Sequence, residues 1–332
     1  MARTTPPRPV DIASVFPELA PLVRRAVRLH PRFGLPTEHD SSIGGRLLWP
    51  ADEEWPVCAQ EHIHWDLPQS LANIRRLRML EGARDRIPPQ YLADLRTGHP
   101  AHDEPNAMLP VAQLYFEDIP GLTGPEGTDL LQVLWCPLDH EKYFPATRLV
   151  WRSSGSVHEL LTDPPEPADV EQFGSYVLDP CVLHPEVVSE YPAPLELPKE
   201  LAQRLRDWGD RYWAEEDPEW ESSPGSAYYQ YELSVAPGWK VGGWGPWSFC
   251  DPQPMNCEVC DAEYRPLLTI SSGEWQGGSR SWIPLEDRRH PLDTVGLHEA
   301  SNQPRVIIGR GYHMQIYVCP TSFDHPHFEN MQ

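Results

Sequence analysis

The sequence predicts an α+β fold built from two diverged, antiparallel-sheet-rich halves, an internal repeat, with helices at the periphery. Short apolar segments bounded by glycine and proline are typical of sheet strands. The 39 prolines among 332 residues favour a chain rich in loops and short strands. Elsewhere, apolar residues spaced by three and four indicate amphipathic helices. Two distinctive segments that recur in the same order along the chain predict the repeat.

The repeated segments are short. Residues 43–45 (IGG) are followed by two Trp-Pro pairs, and residues 241–243 (VGG) are followed by a tryptophan and a Pro-Trp pair. Further along, residues 131–137 (LQVLWCP) match residues 314–320 (MQIYVCP), and an Asp-His pair follows each of them. Self-similarity in a fixed order is the signature of a duplicated unit.

This pattern divides the chain into four segments that together form one compact unit. They are an N-terminal arm and helix (1–40), a first repeat half (41–160), a proline-rich connector with a helix (161–227) and a second repeat half (228–332). Helices are predicted over residues 17–29, 69–81, 91–96 and 198–213. Strands are predicted over residues 110–116, 130–135, 147–152, 228–235, 265–271 and 312–318.

Cysteines and histidines in the second half have metal-ligand spacing. Cys257 and Cys260 form a C-x2-C pair, and Cys319 and His325 follow a predicted strand. Zinc prefers four sulfur or nitrogen ligands, which are often supplied as locally spaced pairs. We therefore predict a structural zinc site from these four residues. Cys250 and His327 are alternatives for its third and fourth ligands.

A similar arrangement occurs in the first half. Cys58 and His62 form one pair, and Cys136 and His140 form another, with His64 as an alternative ligand. Four such ligands would make a second closed zinc site without an open position for water. The other interpretation of both sets is plain burial, because cysteine is often buried without any reactive role. Seven cysteines, an odd number, argue against a disulfide framework.

No catalytic motif is complete. Residues 158–162 (HELLT) begin like a zinc-protease helix, but Thr162 occupies the place of the second histidine. The chain contains no Gly-x-Ser-x-Gly elbow, phosphate loop or dinucleotide-binding glycine motif. Residues 271–274 (SSGE) bring hydroxyls near a carboxylate but are typical of a turn. We assign no catalytic residues.

The charge restricts the class of partner. With 49 acidic and 27 basic residues the formal net charge is -22, which disfavours binding to nucleic acid or anionic membranes. The excess of acidic residues either keeps the protein soluble or provides a surface complementary to a basic protein partner. The N-terminus lacks an apolar signal region, and no apolar run approaches twenty residues, so we expect a cytoplasmic protein.

The glycine-tryptophan segments, the glutamine-containing strands and the Cys-Pro pair near the C-terminus resemble the YwqG-like proteins, a bacterial family of unknown function. The resemblance covers residues 40–320 and is strongest over residues 240–275 and 311–320. It implies a mixed α+β fold with antiparallel sheets and no established activity. A link of such proteins to toxin–immunity loci implies an interaction role. The long connector and the N-terminal helix are additions relative to a minimal member of the family, so the resemblance does not extend to the binding partner of such a member.

Two functional hypotheses follow from these observations. The first is a non-enzymatic interaction protein, carrying structural zinc, whose acidic surface binds a protein partner such as a basic toxin. The second is a small-ligand-binding protein or hydrolase that uses a tryptophan-lined cleft between the two halves. The candidate cleft residues are Trp244, Trp247, Trp275, Gln132 and Gln315. A purely structural zinc protein is a third alternative, and the oligomeric state is open.

Overall fold

Two six-stranded antiparallel sheets and peripheral helices form the fold, which confirms the predicted α+β class. The computed structural model describes residues 2–216, 227–248, 252–275, 278–288 and 299–332. In chain order, the strands are β1 (Arg24–Arg28), β2 (Arg32–Phe33), β3 (Ser42–Ile43), β4 (Val57–Cys58), β5 (Asn106–Ala107), β6 (Leu109–Tyr115), β7 (Leu130–Trp135), β8 (Thr147–Arg152), β9 (Cys181–Val182), β10 (Glu186–Glu190), β11 (Lys240–Gly242), β12 (Arg265–Ser271), β13 (His313–Val318) and β14 (Phe328–Met331).

The helices lie outside the sheets. The α-helices are α1 (Ile12–Val15), α2 (Leu71–Met79), α3 (Pro89–Arg96) and α4 (Lys199–Glu216). The 3-10 helices are Pro17–Leu22, Glu81–Arg86, Ser154–Ser156, Pro194–Glu196 and Arg280–Trp282, and Tyr229–Ser234 is a π-helix. Within the described residues, no helix has both the length and the apolar character needed to cross a bilayer.

The two sheets repeat one strand arrangement. Sheet I has the order β2-β9-β3-β6-β7-β8, and sheet II has the order β10-β1-β11-β12-β13-β14. The last four strands of each sheet correspond one to one. Their registers agree: Ile43 pairs with Ala112 in sheet I, and Val241 pairs with Leu268 in sheet II. Both sheets also shift register early in the second strand of this four-strand unit, after Pro110 and after Pro266.

The segment that precedes each four-strand unit gives one strand to the sheet of the other unit. β1 lies N-terminal to the first four-strand unit but pairs with β11 of sheet II. β9 lies between the two units and pairs with β3 of sheet I. The neighbouring strands β2 and β10 then pair with β9 and β1 respectively. The two halves therefore cannot separate without breaking backbone hydrogen bonds within both sheets.

The sheets pack face to face. Val27, Val241 and Ile316 of sheet II belong to the same buried cluster as Ile43 and Val133 of sheet I. Because side chains alternate across a strand, the neighbouring residues project from the opposite, outer faces. The outer face of sheet I carries Ser42, Gln113 and Gln132, and that of sheet II carries Arg28, Lys240, Thr269 and Gln315.

The buried charge on the outer face of sheet II is paired. Lys240 Nζ donates to Glu190 Oε1 at 2.6 Å, and both side chains are fully buried. Glu190 also accepts hydrogen bonds from the backbone N–H groups of Ala236 at 3.0 Å and Trp244 at 2.8 Å. One carboxylate thus ties both ends of the glycine-rich segment 236–244 to β10. Removal of one partner from such a buried pair costs about 3 to 5 kcal/mol.

Two of the predicted elements are wrong. Residues 17–29 do not form one helix: a 3-10 helix ends at Leu22, and residues 24–28 are strand β1. Pro21 interrupts the helical hydrogen bonds, and β1 is held between two partner strands. Residues 228–235 do not form a strand either, because Tyr229–Ser234 is a π-helix. Its residues Tyr229 and Leu233 pack against Leu205 of α4 in one buried cluster.

The remaining predicted elements are confirmed. α2, α3 and α4 lie where helices were predicted, and Leu201 and Leu205 of α4 face the N-terminal residues Ile12 and Leu19 in a buried cluster. Strands β6, β7, β8, β12 and β13 lie where strands were predicted.

The second glycine of the VGG segment has little room for a side chain. Gly243 has φ +76°, and a Cβ there would lie 2.8 Å from Ala26 Cβ and 2.9 Å from Glu190 Cδ. Gly127 has a similar φ of +81° but no atom within 4 Å of such a Cβ. We expect Gly127→Ala to lower the free energy of unfolding by about 1 kcal/mol through backbone strain. Gly243→Ala should lower it by a further ~1 to 3 kcal/mol through overpacking.

Urea unfolding of both variants at neutral pH measures the difference. Equal losses of stability in the two variants would show that the close approach of β1 and Glu190 does not constrain this position.

Candidate metal centres and an adjoining pocket

The four cysteines and histidines predicted in the first half converge. Cys58 ends β4, and Cys136 directly follows β7. Their ligand atoms and those of His62 and His140 all lie within 4.8 Å of one another. Cys136 Sγ lies 3.4 Å from His62 Nε2, and Cys58 Sγ lies 3.8 Å from His140 Nε2. Zinc bonds of about 2.3 Å to sulfur and about 2.0 Å to nitrogen at tetrahedral angles place these atoms about 3.5 Å apart.

Neighbouring groups orient the ligands of the first centre. His140 Nδ1 lies 3.1 Å from the carbonyl oxygen of Glu61, so a proton on Nδ1 leaves the Nε2 lone pair facing the sulfurs. The pKa of Cys58 falls to about 2, chiefly because the thiol of Cys136 donates a hydrogen bond to its thiolate. Burial opposes this shift, while His140 and His62 add to it. The centre thus favours a thiolate at Cys58, and a negatively charged sulfur suits a cation.

The second-half set converges in the same way. The ligand atoms of Cys257, Cys260, Cys319 and His325 also lie within 4.8 Å of one another. His325 Nδ1 lies 3.4 Å from Cys257 Sγ and 3.3 Å from Cys319 Sγ, and the sulfurs of Cys260 and Cys319 are 3.5 Å apart. These separations also fit a tetrahedral ion.

A tight turn positions the C-x2-C pair. The backbone N–H of Asp261, at φ +57°, donates to the carbonyl of Cys257, and the N–H of Cys257 donates to Ala262. Burial pushes the pKa of Cys319 up, but hydrogen bonds from the backbone of Ser322 and Thr321 and from His325 outweigh it and bring that pKa to about 6. The second centre also favours a thiolate.

The two centres occupy corresponding places in the two halves. In each, one cysteine follows the third strand of the four-strand unit, and the partner pair lies between its first and second strands. They differ in exposure, because the first centre is largely buried while Cys260 of the second is exposed. Four protein ligands would leave no open coordination position at either site, so an ion bound there would have a structural role.

Two of the alternative ligands, His64 and His327, do not join either centre. His64 lies with its ring 6.1 Å from that of His62 and is not among the converging ligands. His327 Nε2 is 2.8 Å from Thr147 Oγ1 and 3.4 Å from Glu329. Cys250 lies outside the described residues.

A third cluster was not foreseen from the sequence. His99, His102 and Asp169 bring their ligand atoms within 4.8 Å of one another, and the H-x2-H spacing was the available signal. His102 Nδ1 lies 2.7 Å from Asp169 Oδ1, and this hydrogen bond raises the pKa of His102. Hydrogen bonding between the two side chains accounts for the arrangement without an ion.

The predicted cleft residues do not form one site. Trp247 and Trp275 line a cavity of about 640 Å³ on the outer face of sheet II. Trp244 instead stacks under Arg24 and donates to the carbonyl of Leu22 at 3.0 Å. Gln132 is buried in sheet I, where it donates to the carbonyl of Leu48 and to Gln113. Gln315 is buried in sheet II, and its side-chain amide has no hydrogen-bond partner among the described residues.

A different cavity lies between the two halves. It has a volume of about 730 Å³ and is lined by Leu77 and Phe173 on one side and Arg305 and Ile307 on the other. No tryptophan lines it within the described part of the chain.

A serine–histidine pair borders the 640 Å³ cavity. Ser271 Oγ lies 2.8 Å from His313 Nδ1 and donates to the carbonyl of Gly273 at 2.6 Å. While the serine proton occupies that bond, His313 Nδ1 can only donate to Ser271 Oγ. A histidine that donates to a serine cannot remove its proton, so this pair lacks the geometry of an activated nucleophile. The register between β12 and β13 places Ser271 opposite His313. No sequence motif indicates this pair.

His313 makes stability depend on pH. Burial, together with the positive charge of Lys240, lowers the pKa of His313 to about 4. The unfolded chain binds a proton near pH 6.5 and the folded chain does not, so this residue lowers stability as pH falls from about 6.5 toward 4. We expect His313→Gln to remove on the order of 2 kcal/mol of the loss between pH 7 and pH 5.

Urea unfolding at both pH values measures this effect. His39→Gln at an exposed position is the matched control and should change the pH dependence less than His313→Gln does. A His313→Gln variant that loses as much stability as the parent chain on acidification would contradict a neutral, buried His313.

No protein-family model matches the chain, and no curated protein matches it. The resemblance to the YwqG-like proteins therefore depends on the quoted motifs alone.

Proposed function

We propose that the chain is a non-enzymatic, YwqG-like binding protein whose two halves are each stabilised by a structural zinc ion. The observation that carries the zinc proposal is the convergence of two separate four-residue sets, one of two cysteines and two histidines and one of three cysteines and one histidine. Residues far apart in sequence meet in each set with spacings that fit a tetrahedral ion.

The donor set favours zinc over other common ions. Thiolate and imidazole ligands suit zinc, whereas magnesium and calcium take oxygen ligands. Zinc in such closed sites contributes folding free energy and does not polarise a substrate. In this chain, each zinc ion would hold the loop that precedes the second strand of a four-strand unit against the end of the third strand of the same unit.

Metal analysis of the purified chain tests this proposal. We expect about two zinc ions per chain, and about one in each of the variants Cys58→Ser and Cys257→Ser, because each removes a ligand from a different centre. Cys181→Ser is the matched control, since Cys181 is buried and free but belongs to neither centre. A metal-free parent chain, or a loss of zinc in the control equal to that in the ligand variants, would count against two zinc centres.

The charge supports a protein partner as the binding function. A net charge of -22 accelerates encounter with a basic protein and disfavours nucleic acid. A basic toxin neutralised by this chain is one such partner and fits the interaction role implied by the resemblance. The six free cysteines among the described residues favour a reducing cytoplasm as the location.

Affinity capture from lysate at low and moderate salt tests the partner proposal. We expect a basic protein to be retained near ~50 mM salt and released progressively as salt rises toward ~500 mM, because screening weakens electrostatic attraction. Retention of no specific protein at either low or moderate salt, or of acidic proteins only, would contradict an acidic recognition surface.

A further inference from the structure

The cysteines of the two metal centres differ in their access to solvent. Cys260 of the second centre is exposed, whereas Cys58 and Cys136 of the first centre are 4% and 0% exposed. The two centres occupy corresponding places in the two halves, so the buried centre is a control within the same chain. Of the two centres, the second is therefore the one in which an oxidant from solution meets a cysteine directly.

A buried cysteine lies against the exposed one. Cys260 Sγ is 3.5 Å from Cys319 Sγ, and Cys319 is 1% exposed. A disulfide bond brings two sulfurs to about 2 Å, so the pair must close by roughly 1.5 Å, which is within the range of a side-chain rotation of Cys260. An exposed cysteine beside a second cysteine is the arrangement of a peroxide-sensing pair, in which the first sulfur is oxidised and the second resolves it.

Polar groups around Cys319 favour negative charge on its sulfur. The N–H of Thr321 donates to Cys319 Sγ at 3.4 Å, and His325 Nδ1 lies 3.3 Å from the same sulfur. A bound zinc ion would also keep the sulfurs of its ligands deprotonated. The thiolate is the form of cysteine that peroxides oxidise.

The surrounding charge selects the kind of oxidant. Three exposed carboxylates flank Cys260 in the sequence: Glu258, Asp261 and Glu263. They repel anionic oxidants such as glutathione disulfide, but they do not repel hydrogen peroxide, which is small and uncharged.

We propose that Cys260 and Cys319 are a reversible, peroxide-sensitive pair whose disulfide opens the second metal centre. The release of zinc from that centre rests on the proposed function. The pairing of the two sulfurs does not, because it follows from their contact and from the exposure of Cys260.

The reaction consumes one peroxide. The Cys260 thiolate attacks hydrogen peroxide, an S–O bond forms while the O–O bond breaks, and hydroxide leaves a sulfenic acid on Cys260. The Cys319 thiolate then attacks the Cys260 sulfur, which forms the S–S bond and expels the second hydroxide. Two protons convert the two hydroxides to water, so two thiolates lose two electrons in total and one peroxide gains them.

Oxidation would alter the second centre without unfolding the sheet. Cys257 and His325 are two ligands where a structural zinc ion takes four, so the ion would no longer be held. The pairing of β12, β13 and β14 does not involve the centre, and Tyr264 and Phe328 remain stacked beside it. The disulfide itself still joins the loop to the end of β13, which makes the change local and reversible.

Peroxide treatment of the purified, zinc-loaded chain tests the proposal. The probe is hydrogen peroxide at about 0.5 mM and neutral pH. Alkylation of free thiols followed by peptide mass spectrometry identifies the disulfide, and a chromogenic chelator measures the zinc released. We expect a Cys260–Cys319 disulfide, release of about one of two zinc ions, and unmodified Cys58 and Cys136. Dithiothreitol with added zinc should restore the starting state.

Two variants locate the reaction. Cys260→Ser should slow the loss of the Cys319 thiol at least about tenfold, because the buried sulfur then lacks its exposed partner. Cys181→Ser is the matched control, since Cys181 is a buried free cysteine outside both centres, and it should react like the parent chain. Circular dichroism confirms that both variants are folded.

The same treatment after removal of metal by a chelator separates this proposal from that of structural zinc. A Cys260–Cys319 disulfide in the metal-free chain supports the pair even where the purified chain contains no zinc. Absence of this disulfide both with and without metal, or pairing of Cys260 with a different cysteine, would overturn the proposal. Oxidation of Cys58 and Cys136 as fast as that of Cys260, or zinc retained in full after the disulfide has formed, would do so as well.

Discussion

The exchange of a strand between the two sheets is the constraint on which the rest of this structure depends. β3 and β11 are each only two or three residues long, and each pairs on one side with a strand from the segment that precedes the other four-strand unit. Without that strand, the backbone groups of β3 or β11 would be buried without hydrogen-bond partners. This pairing also explains the glycine at position 243. Gly243 lets the chain turn directly over Ala26 of the exchanged strand β1.

The exchanged strand also explains the buried charge of sheet II. β1 brings Arg28 and β11 brings Lys240 onto the same fully buried outer face. Glu274 and Glu190 compensate these cations, and Glu190 also holds the glycine-rich segment through two backbone N–H groups. Ions buried in this way add little net stability compared with apolar packing. Their effect here is to fix the loops that carry Trp244 and the wall of the cavity.

Local patterns determined how much could be predicted from the sequence. The amphipathic stripe of α4 and the apolar runs of β7 and β12 can each be recognised from a few neighbouring residues. Both metal-ligand sets can be recognised from the paired spacing of cysteine and histidine and from the internal repeat. β1 was mistaken for a helix because its pairing with β10 and β11 joins residues roughly 160 to 210 positions apart. The Ser271–His313 pair depends on the register between β12 and β13, and the cavity depends on small or polar side chains where sheet I has large apolar ones. No local sequence motif indicates either feature.

Comparison of the two halves separates what maintains the fold from what distinguishes the second half. Both halves keep a cluster of cysteine and histidine at corresponding positions, as expected if each ion stabilises its own sheet. The outer faces, by contrast, differ beside the glutamine that both retain: Leu48, Tyr115 and Leu130 fill the outer face of sheet I, whereas a cavity lined in part by His313 adjoins that of sheet II. A polar cavity with a buried, unpaired glutamine nearby destabilises the folded state, and filling it would need only ordinary apolar residues.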